Sequence, residues 1–187
     1  MSTSSARLLP SLHPDHVPAQ SRPLLDGVKK AFGYIPNLFA AFANSPVLLE
    51  GYLELDAAFE KGTLTAAERQ LVLLAASVVN ECEYCVAAHS TVAKRMLNVS
   101  PAIVAAIRTG AVVPDAKLNA LISLTKELTG GQGQVTAATI RSFHDFGYRA
   151  EQIGEVLVGI ALKTLSNYTH HLSPVAVDPA FAAEAAN

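Results

Sequence analysis

Apolar residues recur along most of the chain at three- and four-residue intervals, the repeat of a helix with one buried face. No stretch alternates apolar and polar residues with the β-branched enrichment of a strand. Proline, glycine and capping residues cut this pattern into helix-sized pieces. The segment 36–43 reads as a short helix. Ser45-Pro46 is an N-cap with proline at the first helical position, opening a helix to about Lys61 with Gly62 beyond it. Thr65 followed by Glu68 reads as a capping box before an apolar helix that ends near Val79. Asn80 reads as the N-cap of the next helix, running to about Leu97. Ser100-Pro101 opens another, closed by Gly110. Further helices are expected over 115–128, stopped by Gly130-Gly131-Gln132-Gly133, over 136–146, closed by Gly147, and over 150–172. The pattern predicts an all-α bundle of about eight to ten helices. Residues 1–23 form a proline-rich arm, 24–173 one helical domain and 174–187 an alanine-rich tail.

Length and composition sharpen this picture. The 187 residues fit one domain, and 50% hydrophobic with only 16% charged residues excludes disorder over most of the chain. So much apolar surface on so small a chain predicts a homo-oligomer. A net charge of −2 gives no basic excess to meet a phosphate backbone, so nucleic acid is not an expected partner. The apolar runs near 71–76 and 156–162 are far shorter than the roughly 18 residues of a membrane span. No signal peptide is visible, and the expectation is a soluble, cytoplasmic protein.

The candidate chemistry lies in Glu81-Cys82-Glu83-Tyr84-Cys85-Val86-Ala87-Ala88-His89, which holds both cysteines of the chain. On a helix beginning near Cys82, the residues Cys82, Cys85 and His89 share one face. A helix start favours a thiolate. An imidazole one turn below Cys85 can take its proton. A second thiol one turn above can attack an oxidised sulfur and close a disulfide. If the chain reverses between Val79 and Asn80, Gln70 and His89 are equidistant from the turn, so Gln70 is expected to touch His89.

The segment resembles the alkylhydroperoxidase D branch of the carboxymuconolactone decarboxylase family. Gly33-Tyr34-Ile35-Pro36-Asn37, Leu64-Thr65-Ala66-Ala67-Glu68-Arg69 and Asn167-Tyr168-Thr169-His170-His171 fit its peroxidase-related members. The resemblance implies an AhpD-like helical oligomer, a trimer or hexamer, with thiol peroxidase activity. It implies Cys85 as the peroxide-attacking thiol, Cys82 as the resolving thiol and His89 as the proton acceptor. No bound cofactor is expected, since no Rossmann or flavin motif is present. The implied partners are a small hydroperoxide and an external dithiol, of lipoyl type, or a disulfide reductase. Two positions depart from the family. Gln70 stands where a relay glutamate is common, so it can orient His89 but not accept a proton. A carboxylate there would make His89 a stronger base, and Cys85 is accordingly expected to be a weaker thiolate than in relatives with glutamate. His170 stands where asparagine often precedes the final histidine.

Other readings compete. A zinc site from Cys82, Cys85, His89 and one of His144, His170 or His171 has the donors but not the usual knuckle spacing. A decarboxylase acting on a lactone acid has no use for two thiols three residues apart. A non-enzymatic redox-sensing or metal-binding oligomer needs only the cysteines and a partner. His171 fits equally the mouth of the active site and a plain helix C-terminus. Tyr84 is most simply packing, and Glu68 the partner of Thr65.

Overall fold

The computed structural model describes residues 16–185. These fold into nine α-helices and one short 3-10 helix, with no strand among the described residues. The helices are α1 (Ser21–Phe32), α2 (Asn37–Phe42), α3 (Pro46–Glu60), α4 (Ala66–Val79), α5 (Glu83–Arg95), α6 (Pro101–Thr109), α7 (Ala116–Gly130), α8 (Ala137–Asp145) and α9 (Ala150–Leu172); the 3-10 helix is Pro179–Glu184. No helix is long and apolar enough to cross a membrane among the described residues.

Local sequence sets most of these boundaries. Ser45 Oγ accepts from Leu48 N at 3.3 Å, with Pro46 in the first turn, as expected. Both halves of the capping box form: Thr65 N donates to Glu68 at 2.8 Å, and Glu68 N donates to Thr65 Oγ1 at 3.2 Å. Asp115 and Thr136 cap α7 and α8 in the same way. Each cap supplies an acceptor to an N–H that the helix itself cannot satisfy.

Helix α4 is the centre of the molecule. Leu71 to Ser77 are buried without interruption, so this helix is enclosed on all sides. It packs against α5, α7 and α9. Its contact with α9 is close because of Gly159: a Cβ there would lie 2.8 Å from Val72 and 2.9 Å from Phe59. One turn further along the same face of α9 comes Lys163, 1% exposed and therefore carried inward.

Two local readings need correction. Helix α1 was not anticipated; it begins at Ser21, inside the stretch read as an arm, while residues 1–15 of that arm lie outside the described residues. Its buried Leu25 and Val28 form an amphipathic stripe, and Pro23 falls in the first turn, where no N–H is missed. Asn80 does not start α5. It is the C-cap of α4, Glu81 takes left-handed backbone at φ 55°, and Cys82 is the extended N-cap of α5. Cys82 N donates to Ser77 O at 3.0 Å, a closure that spends these residues on ending one helix before the next begins.

Candidate active site

Cys82 and Cys85 sit at the start of α5 as free thiols, 0% and 2% exposed. Cys85 lines a cavity of about 360 Å³. The walls include Phe32, Phe39, Phe42, Tyr52 and Phe181, and the polar groups are Asp56, Glu60, Gln70, His89 and Lys163. Thus an apolar, aromatic chamber has its thiol and nearly all its charge at defined points, the arrangement of a small-molecule site.

The two thiols are inequivalent. Cys82 donates a hydrogen bond to Cys85, and this interaction first, with the positive charge of Lys163 and contacts from Ser166 and Asn167, overrides burial to bring Cys85 down to about 6. The same bond, together with burial, pushes Cys82 strongly upward. The pair at neutral pH is a Cys85 thiolate beside a Cys82 thiol. Ser166 Oγ lies 3.9 Å from the Cys85 sulfur. Asn167 is held by Asn80, which donates to it at 2.9 Å, and itself donates to Ser77 at 3.4 Å. The α4–α5 turn is thereby tied to the wall of α9 behind the sulfur.

Gln70 meets His89, as the hairpin geometry requires: its side-chain nitrogen is 2.6 Å from Nδ1. The opposite ring nitrogen, Nε2, lies 2.7 Å from Lys163 Nζ. An ammonium has only donors, so Nε2 accepts and the imidazole proton sits on Nδ1. Nδ1–H calls for the oxygen of Gln70, the reverse of the amide orientation in which the side-chain nitrogen also donates to His89 O at 3.4 Å. Desolvation, followed by the charge of Lys163, drives His89 well below its ordinary pKa. The ring is neutral and both its nitrogens are occupied.

Lys163 was not read from the sequence. Its signal was its position: it stands four residues after Gly159 and seven after the buried Val156, on the inward stripe of α9. With it in place, the Cys82 thiol and this cation are what bring the Cys85 pKa down.

The remaining candidates lie elsewhere. His171 is exposed, stacks on Tyr168 with ring centres 6.4 Å apart and does not line the cavity. His144 Nδ1 is engaged with Tyr148 O at 2.9 Å, and His170 with Val175 O at 3.3 Å. Among the described residues no group of three or more His, Cys, Asp or Glu side chains gathers to hold a metal ion. Tyr84 does more than pack. Its hydroxyl donates to Asp178 at 2.5 Å and Asp178 also accepts from Asn37 N, so the tail is strapped across α5 and delivers Phe181 to the cavity wall.

Comparison with known proteins agrees with this architecture. The model of the carboxymuconolactone decarboxylase family matches residues 46–127. No curated protein matches the chain. A peroxidase-related protein from Ralstonia eutropha JMP134, described as an alkylhydroperoxidase AhpD core, superposes with a TM-score of 0.80 at 21% identity, covering 96% of each chain. A peroxidase-related protein from Silicibacter sp. TM1040 gives 0.78 at 17% identity, covering 96% of this chain and 95% of the other. The debrominase Bmp8, solved as a cysteine variant with 2,3,4-tribromopyrrole, gives 0.78 at 16% identity, covering 96% of each chain. The family model thus matches residues 46–127, within a helical fold similar to that of the AhpD core over nearly the whole described chain.

Proposed function

We propose that the protein is a thiol-dependent reductase of organic hydroperoxides, serving antioxidant defence. The observation that supports this most is the inequivalent thiol pair, with Cys85 lining an aromatic cavity and ionised from about pH 6, and the neighbouring Cys82 kept protonated. The Cys85 thiolate attacks the terminal oxygen of ROOH; an S–O bond forms, the O–O bond breaks and RO⁻ leaves, to be protonated to ROH. Cys82–SH then attacks the resulting sulfenic acid, giving a disulfide and water. An external dithiol of lipoyl type, or a disulfide reductase, returns both thiols by exchange. Aromatic walls favour a carbon-bearing peroxide over hydrogen peroxide, because only the former gains from burying apolar surface. The site is proposed to work in a homo-oligomer, a trimer or hexamer, that covers exposed Phe32, Met96, Leu157, Tyr168 and Leu172.

The test is consumption of cumene hydroperoxide with dihydrolipoamide. Wild-type protein should turn over and Cys85→Ser should not. Cys82→Ser should stop after one equivalent, with sulfenic acid on Cys85 in the mass spectrum. A wild type that consumes no peroxide overturns the reading.

A second reading is favoured by the aromatic chamber and the debrominase likeness: the Cys85 thiolate takes a halogen from a halogenated aromatic ring, a proton replaces it on carbon, and Cys82 then displaces halide to leave the disulfide. Halide release from tribromopyrrole with an idle peroxide assay would select it.

A further inference from the structure

We propose that Lys163 is a catalytic residue, the acid that protonates the departing alkoxide as the peroxide bond breaks. The proposal rests on the hydroperoxide reading above and assigns a step which that reading leaves open. When sulfur takes the terminal oxygen, the other oxygen leaves with the bonding pair as RO⁻. An alkoxide is a strong base, and the apolar walls of Phe39, Phe42 and Tyr52 solvate its charge poorly. A proton has to arrive as the bond breaks.

The cavity offers few donors. His89 is neutral, its Nδ1–H is directed to Gln70, and Nε2 is filled by Lys163. Burial first, then the charges of Asp56 and Cys85, make Tyr52 a much weaker acid than a free phenol. The Tyr84 hydroxyl is committed to Asp178. Asp56, on α3, has its pKa raised by burial first and then by Glu60, with Lys163 and Arg69 acting against this. Among the described residues Lys163 is the only lysine or arginine lining the cavity, and its charge acts on Asp56 of α3 and on Cys85 and His89 of α5. An ammonium carries three N–H bonds. His89 takes one and fixes the Nζ position, which leaves two for the cavity, where sulfur and peroxide meet.

The protons balance over a full cycle. The resting state is Cys85–S⁻, Cys82–SH and Lys163–NH3⁺. Attack gives Cys85–SOH, ROH and Lys163–NH2. Disulfide closure releases water, made from the sulfenic hydroxyl and the Cys82 proton, with Lys163 unchanged. The external dithiol then supplies two electrons and two protons. One proton returns to Cys82 and one to Lys163, and Cys85 is left as thiolate.

The experiment separates this role from mere stabilisation of the thiolate by using three reagents on Cys85 near pH 8. Iodoacetamide reports thiolate alone. Peracetic acid expels a carboxylate, which needs no proton. tert-Butyl hydroperoxide expels an alkoxide, which does. Lys163→Met should lose on the order of 100-fold more rate toward tert-butyl hydroperoxide than toward the other two, the scale of a positioned general acid. Lys163→Arg keeps the charge on a group that does not give up its proton, so it should react with iodoacetamide as wild type does and stay slow with tert-butyl hydroperoxide. Asp56→Asn should show no selective loss. Equal deficits across the three reagents, full rescue by arginine, or a selective loss in Asp56→Asn instead would each overturn the proposal. A wild type that is alkylated at Cys85 yet inert to both peroxides would overturn the hydroperoxide reading itself, and the proposal with it.

Discussion

Two residues apart on α4, Glu68 and Gln70 point to different sides of the helix, and each meets a ring with a lysine behind it. Glu68 accepts from the Tyr148 hydroxyl at 2.8 Å, and Lys117 lies 3.6 Å from the same oxygen and 4.8 Å from the centre of the Tyr148 ring. Gln70 contacts His89, with Lys163 behind that ring. At Glu68 a carboxylate answers the lysine, and burial, which would raise its pKa, is outweighed by hydrogen bonds from Thr65 and Tyr148. Every charge there is matched locally, and Lys117 reaches solvent with 53% of its side chain exposed. At Gln70 the α4 residue is a neutral amide. Among the described residues no carboxylate forms an ion pair with Lys163, although it is 1% exposed. The one cluster uses its lysine to hold helices together. The other leaves a buried cation whose partner is the thiolate of Cys85, at a cost in stability that such groups carry.

If the Lys163 cluster exists for charge on sulfur, removing the thiolate's first support should show most. Cys82→Ala takes away the donor that contributes most to the low Cys85 pKa. Its alkylation by iodoacetamide at pH 6 should slow by roughly tenfold or more, since each pKa unit is a factor of ten in thiolate on the low-pH side. An unchanged rate would assign the activation to Lys163 alone. The opposite cluster should answer in stability. Glu68→Ala removes half of the capping box and strands the Tyr148 hydroxyl, so unfolding free energy should fall by about 2–3 kcal/mol. That is roughly 4–12 °C in Tm for a chain of this size, with Cys85 alkylation as in wild type. A large loss of alkylation in this variant would dissolve the distinction between the clusters.

The pH dependence of stability separates them again. Cys85 titrates near 6 in the folded protein against an ordinary value of 9.0, so between these values the unfolded chain holds the extra proton. Stability from this group is complete above 9 and declines as pH falls toward 6, with a slope of at most about 1.4 kcal/mol per pH unit. His89, held below its ordinary 6.5, adds to the decline below that pH, because unfolding lets it take up a proton. Glu68 has the same sign but acts only in the acid range, below the ordinary carboxylate value of 4.5. Denaturant melts at pH 6 to 9 should therefore slope in wild type and flatten in Cys85→Ala. A slope that survives this substitution would mean that the thiol is not ionised in the fold.

How far these clusters could be read in advance depends on whether a signal is local. Capping residues act within four positions, so Ser45 and Thr65 announced their helices. The shared face of Cys85 and His89 follows from helix periodicity, and the meeting of Gln70 with His89 from one tight reversal. The α4–α5 turn was misread at Asn80 because one residue type serves both to start and to end a helix. Lys163 was missed for a different reason. Its partners are 74 residues away on α5, and only the packing of Gly159 against Val72 decides that this stripe of α9 faces inward. His170 engages Val175 and stacks near Tyr84 rather than reaching the cavity, a tertiary outcome with no local mark.

Position 70 gives the finest test of the contrast, since Gln70→Glu would turn the second cluster into a likeness of the first. On helix geometry alone, a carboxylate there strengthens His89 as a base and speeds attack by Cys85. Lys163 reverses that expectation. With His89 Nε2 occupied by the ammonium, a carboxylate on Nδ1 draws the cation toward α4 through the ring and adds a second negative charge near the sulfur. The pKa of His89 should rise, because the neighbouring carboxylate favours the imidazolium. The Cys85 thiolate should lose part of its support, so alkylation near pH 6 should slow by about threefold, or ~0.65 kcal/mol, a single screened interaction. Proton NMR of the imidazole and iodoacetamide kinetics on the same sample would follow both ends of the effect. A tenfold acceleration instead would mean that the proton of Cys85 travels through His89 to position 70, and that Lys163 is a bystander to it.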